Sequence, residues 1–324
     1  MKRRIIPATA LGLALSIASA WSQTKWDLAA AYPATNFHSE NMAQLASDVD
    51  KATGGKLKIT VHANATLFKA PEIKRAVQGG QVQMGEILLA NFQNEWPLFG
   101  VDSLPFLASD YEAAKKLHAA QKPFLEKKLA EQGMLLLYAV AWPPQGIGTK
   151  KPLASAADLK GIKWRTYSPA TARLAQLLGA QPVTVQAAEL SQALATGVVE
   201  ATVTSGSTGV DSKLYEHLKY YHDTQAWLPK NAVLVNKQAF DALDSTLQQA
   251  LLKAGADAQA RGWAGSIEVN TDSVAKLKAH GMEIVAPPPA ALMADLTRAG
   301  QTMLKEWLDK AGPEGKALIE AYRR

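Results

Sequence analysis

The run MLLLYAVAWPP, residues 134–144, decides the architecture. Nearly every side chain from Met134 to Trp142 is apolar, the pattern of a strand buried on both faces. Pro143 and Pro144 stop it, because neither can donate to a ladder. Before it, strand and helix patterns alternate: strand Lys25–Tyr32, helix Ser39–Ala52 with Met42, Leu45 and Val49 on one face, and strand Lys56–Val61. A helix opened by Pro71 and closed by Gly79 and Gly80, strand Gln83–Leu89 and a helical region Tyr111–Gln132 follow. This is a βαβαβ order, which predicts a mostly parallel sheet with helices on both faces. After the proline pair the alternation restarts: strand Ile162–Thr166, helix Pro169–Leu178, strand Pro182–Val185, helix Ala187–Thr196, strand Val198–Thr204. The prolines therefore mark a crossing into a second α/β unit. From Asp244 to about Lys278 the chain has few helix breakers, and at roughly 1.5 Å per residue one such helix can link two lobes. A strand at Met282–Pro287 and amphipathic helices end the chain.

The first residues, MKRRIIPATALGLALSIASA, pass from Lys2, Arg3 and Arg4 through an apolar stretch to Ala18-Ser19-Ala20, the layout of a secretory signal peptide. Cleavage is expected after Ala20, and no later segment is long and apolar enough to span a bilayer. The 324 residues contain no cysteine, which removes disulfides, thiolate metal sites and lipid attachment together. An exported protein free in the periplasm is expected. Net charge is +6, and the first twenty residues hold three cations and no acid, leaving +3 for the rest, too little to argue for nucleic acid or a membrane surface.

Arg165, in LKGIKWRTYSP (159–169), stands at the carboxyl end of a strand and just before Ser168 and Pro169, the expected cap and first turn of a helix. Ligands of open α/β sheets bind outside the carboxyl ends of strands, and a guanidinium there can grip a carboxylate in a bidentate pair. A structural ion pair is the competing reading. VTSGSTGVDSK (203–213) gathers Thr204, Ser205, Ser207 and Thr208 at another strand end, as hydroxyls for a ligand or as an ordinary helix cap. Tyr32, Phe37, Phe68, Trp142, Tyr167 and Trp227 lie near expected loop ends and are candidates to wall a cleft. Glu86 could face the end of the first sheet. Enzyme signatures are thin: GxSxG is absent, Ser273 to Lys276 matches SxxK only inside a helical segment, and the six histidines form no HExxH. No metal or cofactor is expected.

The stretch DLKGIKWRTYSPATARLAQLLGAQPVTVQAAELSQALATGVVEA (158–201), with DSLPFL (102–107) and DSKLYE (211–216), resembles the DctP-like periplasmic solute receptors of tripartite ATP-independent periplasmic (TRAP) transporters. That resemblance covers nearly the whole chain after the leader. It implies two α/β lobes, each a mixed, mostly parallel sheet flanked by helices, closing on a cleft and braced by a long helix. Lobe I would take residues 21–142 and about 230–268, and lobe II residues 143–229 and about 269–324. It implies no catalysis, an arginine at Arg165 that holds a ligand carboxylate, and membrane permease partners, one small and one large. Many members carry QENP after the TGVV turn, where this chain reads TVTS, and a second arginine near Pro144 or Gln145. With a single clamp, a small organic monocarboxylate (a hydroxy, keto or aromatic acid) is expected, bound among Arg165, Thr204, Ser205, Gln145, Trp142, Trp227, Tyr167, Phe37, Phe68 and Glu86. A monomer is expected. An exported hydrolase and a ligand sensor on the same fold stay open as alternatives.

Overall fold

The computed structural model describes residues 23–324, so the expected leader and its cleavage point lie outside the described residues. The first half builds strands β1 (Thr24–Ala29), β2 (Leu57–His62), β3 (Met84–Leu88) and β4 (Met134–Ala141) with helices α1 (Phe37–Ala52), α2 (Ala70–Gln78) and α3 (Tyr111–Glu131). The second builds β5 (Gln145–Thr149), β6 (Lys163–Thr166), β7 (Gln181–Thr184), β8 (Ala201–Ser205) and β9 (Tyr220–His222) with α4 (Pro169–Leu177), α5 (Leu190–Ala195) and α6 (Gly206–Asp211). The chain then returns through β10 (Lys230–Asn236), α7 (Lys237–Asp241), α8 (Ser245–Ala279), β11 (Glu283–Val285) and α9 (Ala290–Arg323).

Two mixed sheets result, ordered β2-β1-β3-β10-β4 and β11-β9-β5-β8-β6-β7. The expected parallel pairs form at β1/β2 and β1/β3, and at β6/β7 and β6/β8. The apolar run at 134–142 is a strand buried on both faces, as expected: it forms the edge strand β4, antiparallel to β10 alone, and α3 and α8 supply its cover. Its partner, KNAVLVN, is buried at every residue and gave no alternating signal by which it could be seen as a strand. Val198 is exposed, and β8 starts later than expected, at Ala201.

The two sheets are joined at paired crossings. Trp142 N–H donates to Pro229 O at 2.8 Å, Gln145 N–H to Trp227 O at 3.0 Å, and Ala226 N–H to Gln145 O at 3.2 Å. Beside the second crossing, the buried Lys230 Nζ lies 3.0 Å from Asp102 Oδ2, which also accepts the Lys230 backbone N–H at 3.0 Å. That Nζ meets Asp102 in distance but not in hydrogen-bond alignment, so the attraction is chiefly coulombic. One apolar cluster continues from Ile73, Leu89 and Phe99 to Trp164, Leu174 and Leu296, so the halves share a core.

Helix α8, capped by Asp244 accepting from Leu247 N–H, runs across both halves, touching α1 and β4 on one side and α6 and β11 on the other. Its 35 residues span about 50 Å. Close approach depends on Gly262, where an added Cβ would lie 2.5 Å from Val140 Cγ2 and 2.8 Å from Asn41 Nδ2. Trp263 Nε1–H next to it donates to Ala139 O at 3.0 Å. Helix α9 is kinked at Gly312, whose φ is 59°, and also touches both halves: Trp307 Nε1–H donates to Pro97 O at 2.8 Å, and Glu306 pairs with Arg173 on α4 at 2.6 Å. Gly262→Val should cost about 1–3 kcal/mol in urea denaturation, because the branched side chain must push α8 off β4. An unchanged midpoint would mean that the helix does not rest on the strand at this point.

Candidate functional site

Where the carboxyl end of β6 faces the end of the first sheet, a small, partly open cavity lies between the halves. Its lining includes Arg165, Tyr167, Thr204, Ser205, Gln145 and Trp142, six of the ten residues expected from the sequence. The local fold that places them is as read: Ser168 caps α4 by accepting from Thr171 N–H at 3.3 Å, with Pro169 in the first turn.

Arg165 is 2% exposed. Its Nε donates to Val185 O at 2.8 Å and its Nη1 to Val203 O at 3.5 Å, so two backbone carbonyls aim the guanidinium, and Cζ sits 5.0 Å from the Tyr167 ring centre. No carboxylate among the described residues pairs with it, which removes the structural ion pair as its explanation. Burial pulls its pKa down to about 10, with Tyr167 and Tyr32 opposing, so the group stays cationic at neutral pH. A buried, uncompensated cation is costly, and an anion entering the cavity relieves that cost.

The other groups are ordered around it. Trp227 Nε1–H donates to Tyr167 Oη at 3.3 Å, Tyr167 O–H to Gln145 Oε1 at 3.0 Å, and Gln145 Nε2–H to Pro143 O at 3.0 Å. Trp227 thus stands behind the wall, holding Tyr167, and does not line the cavity. Ser205 Oγ accepts from Thr208 N–H at 3.2 Å and its hydroxyl faces Thr208 Oγ1 at 3.4 Å, so its side chain caps α6. The Thr204 hydroxyl makes no hydrogen bond with the described residues and remains available. Phe37 packs edge-on against Trp142 at 5.3 Å, one layer back, and Phe68 packs on the core away from the cavity.

Glu86 is buried one layer behind the cavity, with Oε1 3.3 Å from His38 Nδ1. Burial pushes Glu86 up to about 8 against the opposing Asn231 amide, and burial holds His38 down to about 3. Despite the short distance this is a neutral acid beside a neutral imidazole, not a salt bridge. Tyr32, Leu88, Gln186, Ala187, Thr208 and Pro229 complete the lining. Tyr32 and Thr208 were visible as an aromatic at a loop end and a clustered hydroxyl, while Gln186 follows a strand end, Val185, in the position Arg165 made suggestive.

The chain matches the model of the DctP family, bacterial extracellular solute-binding protein family 7, over residues 28–310, and belongs to that family. It is therefore a periplasmic solute receptor of the TRAP type, not an enzyme; receptors of this type bind small organic acids and work with a membrane permease. Among solved structures it is similar to DctP6 of Bordetella pertussis, an extracytoplasmic solute receptor binding pyroglutamic acid, at 62% identity and TM-score 0.91, covering 93% of this chain and 99% of that one. DctP7 of the same organism, also binding pyroglutamic acid, matches at 46% identity and TM-score 0.92 over 93% and 100% of the two chains. A marine metagenome TRAP protein specific for pyroglutamate matches at 46% identity and TM-score 0.91 over 93% and 99%.

The buried acid and histidines set a pH dependence. Between about 4.5 and 8 the folded state keeps a proton on Glu86 that the unfolded chain releases, so this group lowers stability as pH rises. His38 and His118, both held down to about 3 by burial, act oppositely below about 6.5, where only the unfolded chain takes their protons. Stability should therefore peak near pH 6.5 and decline toward 8 by up to about 1.4 kcal/mol per pH unit. Denaturation of Glu86→Gln should show the alkaline decline flattened; an unaltered decline would mean that Glu86 is ionised in the fold.

Proposed function

We propose that the protein is a pyroglutamate receptor. The observation that carries this reading is Arg165, a buried cation facing a small cavity with no acidic partner among the described residues. Pyroglutamate is a monocarboxylate on a compact lactam ring, and one carboxylate matches one guanidinium. Its ring suits the Trp142, Tyr32 and Leu88 walls, and the free Thr204 hydroxyl supplies a further polar contact. The pyroglutamate ligands of the three similar receptors support the same choice.

In this reading lobe I comprises residues 21–142 and about 230–268, lobe II residues 143–229 and about 269–324, and the lobes hinge at the paired crossings. The lipid-free receptor is released after Ala20 and acts as a monomer with a small and a large permease subunit.

Isothermal titration with pyroglutamate tests the clamp. Arg165→Ala should cost about 2–5 kcal/mol of binding, as when one partner of a buried charge pair is removed. Arg165→Lys should also bind weakly, because an ammonium cannot reproduce the planar fork. Wild-type affinity in both variants would overturn the assignment.

A further inference from the structure

Asn36 and Asp211 belong to different halves of the chain, and a hydrogen bond joins them without the crossings, α8 or α9 as intermediary. Asn36 immediately precedes α1 and is 1% exposed. Its Oδ1 accepts from His38 N–H at 2.9 Å and so caps the helix. That bond fixes the amide, because the end that accepts a backbone N–H must be the oxygen. The other end, Nδ2, is the donor, and it reaches Asp211 Oδ2 at 2.7 Å. The Asn36 backbone is held as well: its N–H donates to Pro33 O and its carbonyl accepts from Glu40 N–H, both at 2.9 Å.

Asp211 ends α6, and this short helix has little room to shift. An added Cβ at Gly206 would lie 3.2 Å from Ser273 Cβ, and one at Gly209 would lie 3.3 Å from Leu277 Cδ1, so α6 rests closely on α8. The start of α6 is cavity wall, since Ser205 caps it and both Ser205 and Thr208 line the site. In the first half, Phe37 and His38, which follow Asn36, pack on Trp142, another lining residue. The bond therefore ties together the elements behind two walls of the site. An amide donating to a carboxylate is a charge-assisted bond, and a further separation of about 1 Å ends it.

We infer that Asn36 and Asp211 form a clasp between the halves, made in the closed arrangement seen here and parted when the cleft opens. They are positioning residues for ligand capture, since neither lines the cavity. The clasp raises the fraction of receptor that is closed, and apparent affinity rises with the fraction competent to hold a ligand. It acts on every ligand alike, so it stands independently of the pyroglutamate reading.

Because the chain has no cysteine, two introduced ones can be spin-labelled alone, at exposed Gln78 in the first half and exposed Gln181 in the second. Pulsed electron double resonance on the ligand-free receptor then reads a short, closed population and a long, open one. Asn36→Ser keeps a side-chain oxygen for the α1 cap but is too short to reach Asp211, and Asp211→Ala leaves Asn36 in place. Each should lower the ratio of closed to open about tenfold, the scale of one hydrogen bond to a charged group. The double variant should fall no further, because the two substitutions remove the same bond. An unchanged ratio in either single variant, a double variant that falls by the product of the two, or a wild type found wholly open would overturn the inference.

Discussion

A guanidinium buried between two β-sheets, with no carboxylate partner among the described residues, is the constraint on which the rest of this structure depends. Arg165 is kept charged by its high intrinsic basicity and held by two backbone carbonyls that aim it without neutralising it. Carbonyl dipoles offset part of the desolvation cost, and the rest is left for an anion. An anion entering the cavity relieves that cost, and a planar group with a full negative charge matches the guanidinium best.

The fold exists to bring that charge against a second wall. Arg165 belongs to the second sheet, while Tyr32, Leu88 and Trp142 belong to the first half of the chain, and the paired crossings at 142–145 and 226–230 together with helix α8 connect the sheets. Hydrogen bonds between the two crossings make them bend as one unit. Helices α8 and α9 span the junction, and Gly262 lets α8 lie directly on β4. The long brace and the narrow pair of crossings favour the hinge closure proposed above, which would exclude water from a charged pair and so strengthen it.

Much of this was legible in the order of residues. The restart of strand and helix after Pro143-Pro144, the Ser168 cap, and the position of Arg165 at a strand end are local patterns, and local patterns survive folding. Strand β10 was not legible: KNAVLVN is buried on both sides, short, and paired with strands far away in sequence. Its insertion turned MLLLYAVAW into an antiparallel edge strand, which periodicity alone cannot distinguish from an interior one. In the site, side-chain direction was the missing quantity. Trp227, Phe37, Phe68 and Glu86 were expected at the ligand and do not line the cavity, because a loop-end position does not say which way a ring or carboxyl points. Ser205 spends its hydroxyl on the α6 cap, the plainer of the two readings open to it.

The central claim is that the Arg165 charge is completed by the carboxylate of the ligand. The most direct measurement is the titration of carboxyl-carbon-13-labelled pyroglutamate bound to the receptor, followed by its carbon chemical shift as pH is lowered. A carboxylate paired with a buried guanidinium stays ionised to lower pH than in water, so the bound group should titrate below the free acid or not at all before the protein unfolds. A bound carboxyl that titrates at or above the free value would contradict the account, because its charge would then be unmatched by Arg165.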